Sequence, residues 1–371
     1  MQNKPKYLLI GLLIAIVALI AWYLQTIVIY ICVAIIISLI GQPLVRIYSS
    51  LKIKKIGLPG SVSALLALVT ITLFIGIFVS LFIPLLVEEA RIISNINPQQ
   101  IITMFREPLA NLNYDLQKLQ IEYGHGESLE NYLASQLTSF FGFQEVSSYA
   151  QGMVSFTASL IGGTLAILFM AFFFMKDEHL IYNTVLLLTP PKQLRAIKEI
   201  MKDTKRLLTK YFIGILLDML FVALLTSIAL YFLGVKNFLL IGMFAGLMNV
   251  IPYVGPLIGA AFGILIGVTS NPELEFYTQL LPLIYKIALT FLIIQLIDAF
   301  VFQPLVISNI VKAHPLEIFL VILIAGTLAG IGGMVIAVPV YTILRIVAKE
   351  FLNNFKIVQK LTAELDEEEL E

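Results

Sequence analysis

The chain has 371 residues, 59% of them hydrophobic and 13% charged, with a mean hydropathy of +0.94. Soluble domains carry about 25% charged residues, so a soluble globular chain is excluded and the sequence reads as an all-α integral membrane protein. Its 24 basic residues balance 24 acidic ones, no basic and aromatic patch suits nucleic acid, and a single cysteine, Cys32, leaves no disulfide or thiolate metal site within the chain.

Lys4 and Lys6 precede an apolar run that continues to Ile40 with no small-residue cleavage site, which predicts a retained membrane anchor. Trp22, Tyr23, Gln25 and Thr26 interrupt Tyr7–Ile40 and divide it into two short spans joined by an interfacial turn. Arg46, Lys52, Lys54 and Lys55 then mark a cytoplasmic loop, and the Gly57-Leu58-Pro59-Gly60 break precedes a third span, Ser61–Val87. Residues 88–150 carry three basic residues against eight acidic ones, the composition of an extracytoplasmic segment. Asn97-Pro98 reads as a helix start, and Leu109, Leu112, Leu116 and Leu119 recur at amphipathic helical spacing. Gln151–Met175 is the fourth span. From Lys176 to Tyr211 eight basic residues accompany four acids, which predicts a cytoplasmic amphipathic helix after Pro190-Pro191 with its basic face on anionic lipid head groups. Tyr211–Leu233 is the fifth span.

The apolar run Phe238–Val268 is broken centrally at Asn249–Gly259, where Pro252 and Pro256 remove backbone donors and Gly255 and Gly259 loosen the chain. Such a break inside hydrocarbon is tolerated where it is buried in protein or lines a cavity. The loop that follows has Glu273 and Glu275 but no Lys or Arg, which favours a re-entrant hairpin over a full span. After a sixth span, Pro282 to about Pro304, the run Leu316–Val347 is 32 residues, roughly 48 Å as one helix. It too is broken, at Gly330-Ile331-Gly332-Gly333. The expected fold is six full spans plus two opposed re-entrant helical hairpins, with eight spans as the alternative. The domains are N-terminal spans (1–87), an extracytoplasmic helical segment (88–150), the fourth span with the cytoplasmic helix (151–210), an inverted-repeat transport core (211–347) and a cytoplasmic tail (348–371). Both termini are placed in the cytoplasm. Opposed repeats with interrupted helices are the architecture of secondary transporters. Gly242 to Gly246 and Gly326 to Gly330 share a Gly-x-x-x-Gly pattern, whose ordinary role is close helix packing.

Asp218 and Asp298 lie inside spans. An acid near a helix centre costs about 2.5–3.5 kcal/mol on insertion scales and normally faces a cavity or a partner, unless it sits near enough to the span end to reach water. Tyr211 and Gly214 share a helix face with Asp218, as Gln295 and Phe302 do with Asp298; Lys286 falls on the opposite face. At the first hairpin, the amides opening the returning half-helix at Gly255-Pro256 and the carbonyls of Leu247–Asn249 offer dipoles, and Asn249 and Tyr253 add side-chain polarity. The candidate substrate-binding set is Asn249, Pro252, Tyr253, Gly255, Pro256, Gly259, Gln295, Asp298, Gln303, Gly330, Gly332 and Gly333, with Asp218 and Asp298 coupling a proton or ion. His314, before Pro315, is expected to cap a helix. Protease, hydrolase and nucleotide motifs are missing from the sequence, so no enzymatic activity, cofactor or metal is expected.

These motifs resemble the AI-2E family of bacterial transporters, named for exporters of the signal autoinducer-2. Ile251-Pro252-Tyr253-Val254-Gly255-Pro256 with Asn249 and Gly259 is similar to its central motif, and Gln295-x-x-Asp298 with Gln303-Pro304 to its Gln-x-x-acid segment, where Glu is usual. His314-Pro315-Leu316, Gly330-x-x-Gly333-Met334, Val338-Pro339 and Phe172–Asp177 follow the same likeness. One departure is that Ile213 and Ile215 flank Gly214 where the family often has Arg and Gln. The resemblance implies a homo-oligomeric, pentameric transporter of the bacterial inner membrane with elevator-like movement of the hairpin domain. Its partners would be membrane lipids and a small polar solute or a cation (H⁺ or Na⁺). Export of a small polar metabolite or signal is the leading function, a sodium(cation)/proton antiporter the alternative, and a membrane scaffold the third reading.

Overall fold

The computed structural model describes residues 23–53, 56–95, 162–303 and 314–352, together with Leu19, Asn111, Tyr114 and Lys118. The expected first span, most of the extracytoplasmic segment with its Asn97-Pro98 start, Pro304, and the tail beyond Leu352 lie outside the described residues. The helices are α1 (Gln25–Ser50), α2 (Gly60–Asn95), α3 (Gly162–Lys176), α4 (Leu180–Leu188), α5 (Leu194–Phe232), α6 (Phe238–Met248), α7 (Val254–Thr269), α8 (Leu281–Ile297) and α9 (Pro315–Leu352). The π-helical turns Phe276–Leu280 and Asp298–Phe302 flank α8. The only extended pairing among the described residues is a two-residue antiparallel bridge between Lys52–Ile53 and Ile56–Gly57. Five described helices are long and apolar enough to cross a membrane: Gln25–Ser50, Gly60–Ile92, Pro191–Phe232, Phe276–Phe302 and Pro315–Phe351. Their outward side chains are apolar; Phe169, Leu224, Phe300 and Leu328 stand exposed, as lipid-facing residues do.

The chain divides into two compact units, 1–75 with 156–201 and 76–155 with 202–371. In the first, Ala34, Ala64, Ala67, Ala171 and Met175 form the core, and Tyr48 bonds Thr70 at 2.8 Å. Small residues let these backbones approach closely, the packing rule for helices that have no hydrophobic drive toward each other in lipid. Gly41 meets the Met175 thioether in the same cluster.

The second unit contains both broken helices. In the first, α6 and α7 pack antiparallel, with Gly263 against Ile241 and Gly259 against Ala245. Gly242 and Gly246 face α5 at Ser227, Ala223 and Met219, so this Gly-x-x-x-Gly is a packing surface. In α9, Ala329 and Gly330 leave helical geometry, Gly330 at φ 60° and ψ −148°. That region is close to glycine-only, and the chain reverses there. Tyr341 donates to Glu317 at 2.8 Å, although 24 residues of straight helix would separate them by roughly 36 Å. Gly333 lies against the Ala325 carbonyl and Gly326 against Met334. The bend sits at Ala329–Gly330, with Gly332 and Gly333 already helical; the second Gly-x-x-x-Gly thus supplies a corner, unlike the first.

Two expectations need correcting. The cytoplasmic helix and fifth span are one continuous 39-residue helix, because a change from charged to apolar composition at Tyr211 brings no helix breaker with it. The helix of the third span continues past Glu88 to Asn95, and Glu89 is 2% exposed instead of solvated. In the second arm of α9, Arg345 is buried, with its guanidinium 5.8 Å from the centre of the Tyr341 ring.

Candidate functional site

The site is built from one regular helix and two interruptions of helical regularity. α5 is regular and contributes Tyr211, Ile215 and Asp218, spaced four and three residues apart on one face. Opposite lies the tip between α6 and α7. There the Val254 amide donates to Pro252 O at 2.8 Å and Tyr253 has φ 65° and ψ −44°, the geometry of a strained γ-turn. Pro252 and Pro256 end one helix and open the next, and Gly255 sits against the Met248 carbonyl where no side chain fits. The third element is α8 with its terminal π-turn, which begins at Asp298 and re-aims Asp298 and Gln303. Phe302 of that turn stacks on Phe221 of α5 at 4.3 Å.

These elements enclose a cavity of about 240 Å³ lined by Tyr211, Ile215, Asp218, Asn249, Pro252, Tyr253, Pro256, Gln295, Ala299, Gln303, Ile318 and Val338. Ile318 and Val338 come from the two arms of α9, and the Tyr253 ring meets Phe319 edge-on at 6.2 Å. Asp298 lies behind the lining, fully buried, and accepts from Gln303 Nε2 at 2.8 Å. Asn249 Nδ2 donates to Asp218 Oδ2 at 2.7 Å, tying the hairpin tip to α5. The Asp218 and Asp298 carboxyls are within hydrogen-bonding reach of each other. Asp218 Oδ1, Asp298 Oδ1 and the Tyr211 hydroxyl are buried and have no other partner. The lining includes no Lys, Arg or His.

Of the residues singled out in the sequence, Asp218, Asn249, Pro252, Tyr253, Pro256, Gln295 and Gln303 share this cavity, with Asp298 directly behind it. Gly255 shapes the tip, Gly259 packs against Ala245 and Phe291, Gly330 makes the bend of α9, and Gly332 and Gly333 lie in the helix just after it; none of these three lines the cavity. The proposed water-reaching alternative for the two acids fails, since Asp218 is 4% exposed and Asp298 is fully buried. The backbone dipoles expected at the tip are also otherwise engaged. The Val254 and Gly255 amides bond Pro252 O and Ile251 O, while Leu247 O and Met248 O accept from Val250 and Ile251. Side chains therefore carry the chemistry of the tip. Tyr211 was not among the expected site residues; its place one turn before Ile215 on the Asp218 face was the available signal. Lys286 is exposed, away from the acids. His314 caps α9, its Nδ1 accepting from the Leu316 amide at 3.3 Å.

Residues 10–353 match the AI-2E family transporter pattern. The chain is 28% identical over 332 residues to "Putative transport protein YueF" of Bacillus subtilis, covering 88% of this chain and 84% of that relative. It is 32% identical over 193 residues to "Putative transport protein YrrI" of the same organism, 52% of each chain. It is 25% identical over 179 residues to "Putative permease PerM" of Escherichia coli K12, 48% of each chain. A multi-pass chain of apolar helices, with a polar cavity built around two broken helices, belongs to the AI-2E family of transporters.

Proposed function

We propose that this protein is a secondary transporter that exports a small polar, hydroxylated metabolite or signal of the autoinducer-2 kind, coupled to a proton gradient by alternating access. The observation that carries the reading is the cavity of about 240 Å³ lined by the Asp218 carboxyl, three amide side chains and two tyrosines, with the Asp298 carboxyl directly behind Gln303 and no basic group in the lining. Such a lining is rich in hydrogen-bond acceptors and disfavours anions, so the solute is neutral with several hydroxyl donors, or cationic. The buried acids supply the coupling group, as intramembrane carboxyls do in gradient-driven pumps. The two reversed helix pairs act as opposed re-entrant hairpins whose tips gate the cavity. The working unit is a homo-oligomer in a bacterial inner membrane, with both termini cytoplasmic. No chemical change of the solute is required.

The same acceptor-rich lining favours a second reading, exchange of sodium or another monovalent cation for protons. Purified protein in liposomes separates the two. Under an imposed proton gradient, flux of radiolabelled autoinducer-2 without sodium supports export; sodium-dependent proton release with no organic solute supports antiport. The absence of both would refute gradient-coupled transport of these solutes.

A further inference from the structure

We propose that Asp218 and Asp298 are a single protonation unit that holds one proton between them and gains or loses it as a pair. The proposal rests on the transport reading only for its use; the pair itself follows from satisfaction of buried polar atoms.

Each carboxyl has one oxygen already occupied. Asp218 Oδ2 accepts from Asn249 at 2.7 Å and Asp298 Oδ2 accepts from Gln303 at 2.8 Å. The remaining oxygens, both Oδ1, are buried and lack a donor, although the two carboxyls are within hydrogen-bonding reach of each other. A carboxylate oxygen only accepts, so two ionised groups would face each other lone pair to lone pair. An unmatched buried charge is among the costliest states a protein can hold. One proton between the facing oxygens satisfies both, with one carboxyl donating and the other accepting. Two protons would leave a surplus donor with no acceptor.

The groups facing the pair support one proton. α5 presents only the Tyr211 phenol and the hairpin tip only the Tyr253 phenol as further titratable groups in the cavity. The arms of α9 contribute Ile318 and Val338, and α8 contributes Gln295 and Ala299. No lysine, arginine or histidine among the lining residues compensates a second negative charge. Asn249 and Gln303 each occupy one oxygen of an acid, which leaves the two Oδ1 atoms as the ones available to share a proton. When the proton leaves, its O–H bond breaks, the proton passes to water in the cavity, and the net charge of the pair goes from minus one to minus two. An incoming monovalent cation, or hydroxyl donors of a neutral solute, then takes the proton's place at the two Oδ1 atoms.

The test is infrared spectroscopy of the full-length protein in liposomes without solute, with aspartate labelled by carbon-13 so that buried Glu89 does not contribute. The expected result at neutral pH is the absorbance of one protonated aspartic carboxyl. That band vanishes in both Asp218→Asn and Asp298→Asn, since the introduced amide donates to the remaining carboxylate in place of the proton. Asp298→Glu, which keeps the acid, retains the Asp218–acid pair and serves as the folding control alongside thermal unfolding of each variant. A wild-type protein with no such band would overturn the proposal. So would two independent bands, with each single variant losing only half of the absorbance. Because the spectra are recorded without transport, failure of the transport reading would leave this result untouched.

Discussion

The second unit buries acid in two places, and the contrast separates structure from function. Glu89 of α2 is 2% exposed and fully matched: Asn237 donates to Oε2 at 2.6 Å, and Ser270 and Thr269 donate to Oε1 at 2.7 and 3.4 Å. Its donors come from the start of α6 and the end of α7, so one carboxylate fastens both feet of the first hairpin. The Asp218–Asp298 pair is as deeply buried, yet each acid keeps an Oδ1 without a protein donor, Asp218 on the wall of the cavity and Asp298 directly behind it. A saturated acid fixes a position, whereas an unsaturated pair is left able to bind. The first arrangement gains from staying as it is; the second, on the proposed reading, gains from exchanging its proton.

The comparison breaks most sharply at the pair. Asp218→Asn or Asp298→Asn should lower gradient-driven flux on the order of a hundredfold, the scale of losing a charge-assisted hydrogen bond, with little change in thermal unfolding. Glu89→Ala should do the reverse. It removes the acceptor of one Asn237 amide proton and of the Ser270 hydroxyl, while Asn237 keeps Ser270 and Thr269 keeps Leu265 O, destabilising the protein by about 2 kcal/mol with flux per folded molecule preserved; thermal unfolding in detergent and flux assays read the two effects. Gly330→Ala tests the bend alone, since open space surrounds its would-be Cβ. The backbone conformation should cost about 1.5 kcal/mol in the same unfolding assay, with no steric contribution. Tyr253→Gly releases the strained γ-turn but loses the Phe319 contact, so stability should shift by under about 1 kcal/mol while flux falls severalfold through the loosened tip. The smallest effect belongs to Lys236→Ala. Lys236 meets the exposed Glu273 at 3.3 Å, and this pair should leave unfolding unchanged within error. Glu273 is held below its ordinary value of 4.5 by its own backbone amide and then by Lys236. A depressed carboxyl contributes fully above its unfolded value and loses that contribution as pH falls through the lower folded value, so any Lys236 effect should be full above about pH 4.5 and fade progressively below it.

Much of this was legible in the sequence where covalent chemistry dictates backbone. Pro252 cannot continue a helix and lies in the turn, while Pro256 sits in the first turn of α7, where no helical donor is lost; Gly330 marks the second reversal through its backbone freedom. Asp218 and Asp298 stood out individually because an acid in an apolar span needs an explanation. Their mutual contact was not legible, being a tertiary fact set by how α5 packs on the π-turn after α8. Glu89 was hidden by its neighbours: beside Glu88 and Arg91 at the end of a span, it reads as one more surface charge. The continuity of α5 was obscured because hydropathy changes at Tyr211 while helix propensity does not. The engaged amides at Val254 and Gly255 depend on a γ-turn that proline spacing suggests but does not specify.

The most direct test of the account compares wild-type protein with Asp298→Asn in liposomes loaded with solute, measuring flux with and without a proton gradient. The account predicts that the gradient accelerates wild-type flux, while the variant shows only residual solute exchange indifferent to the gradient. Gradient-driven flux that survives intact in Asp298→Asn would contradict it.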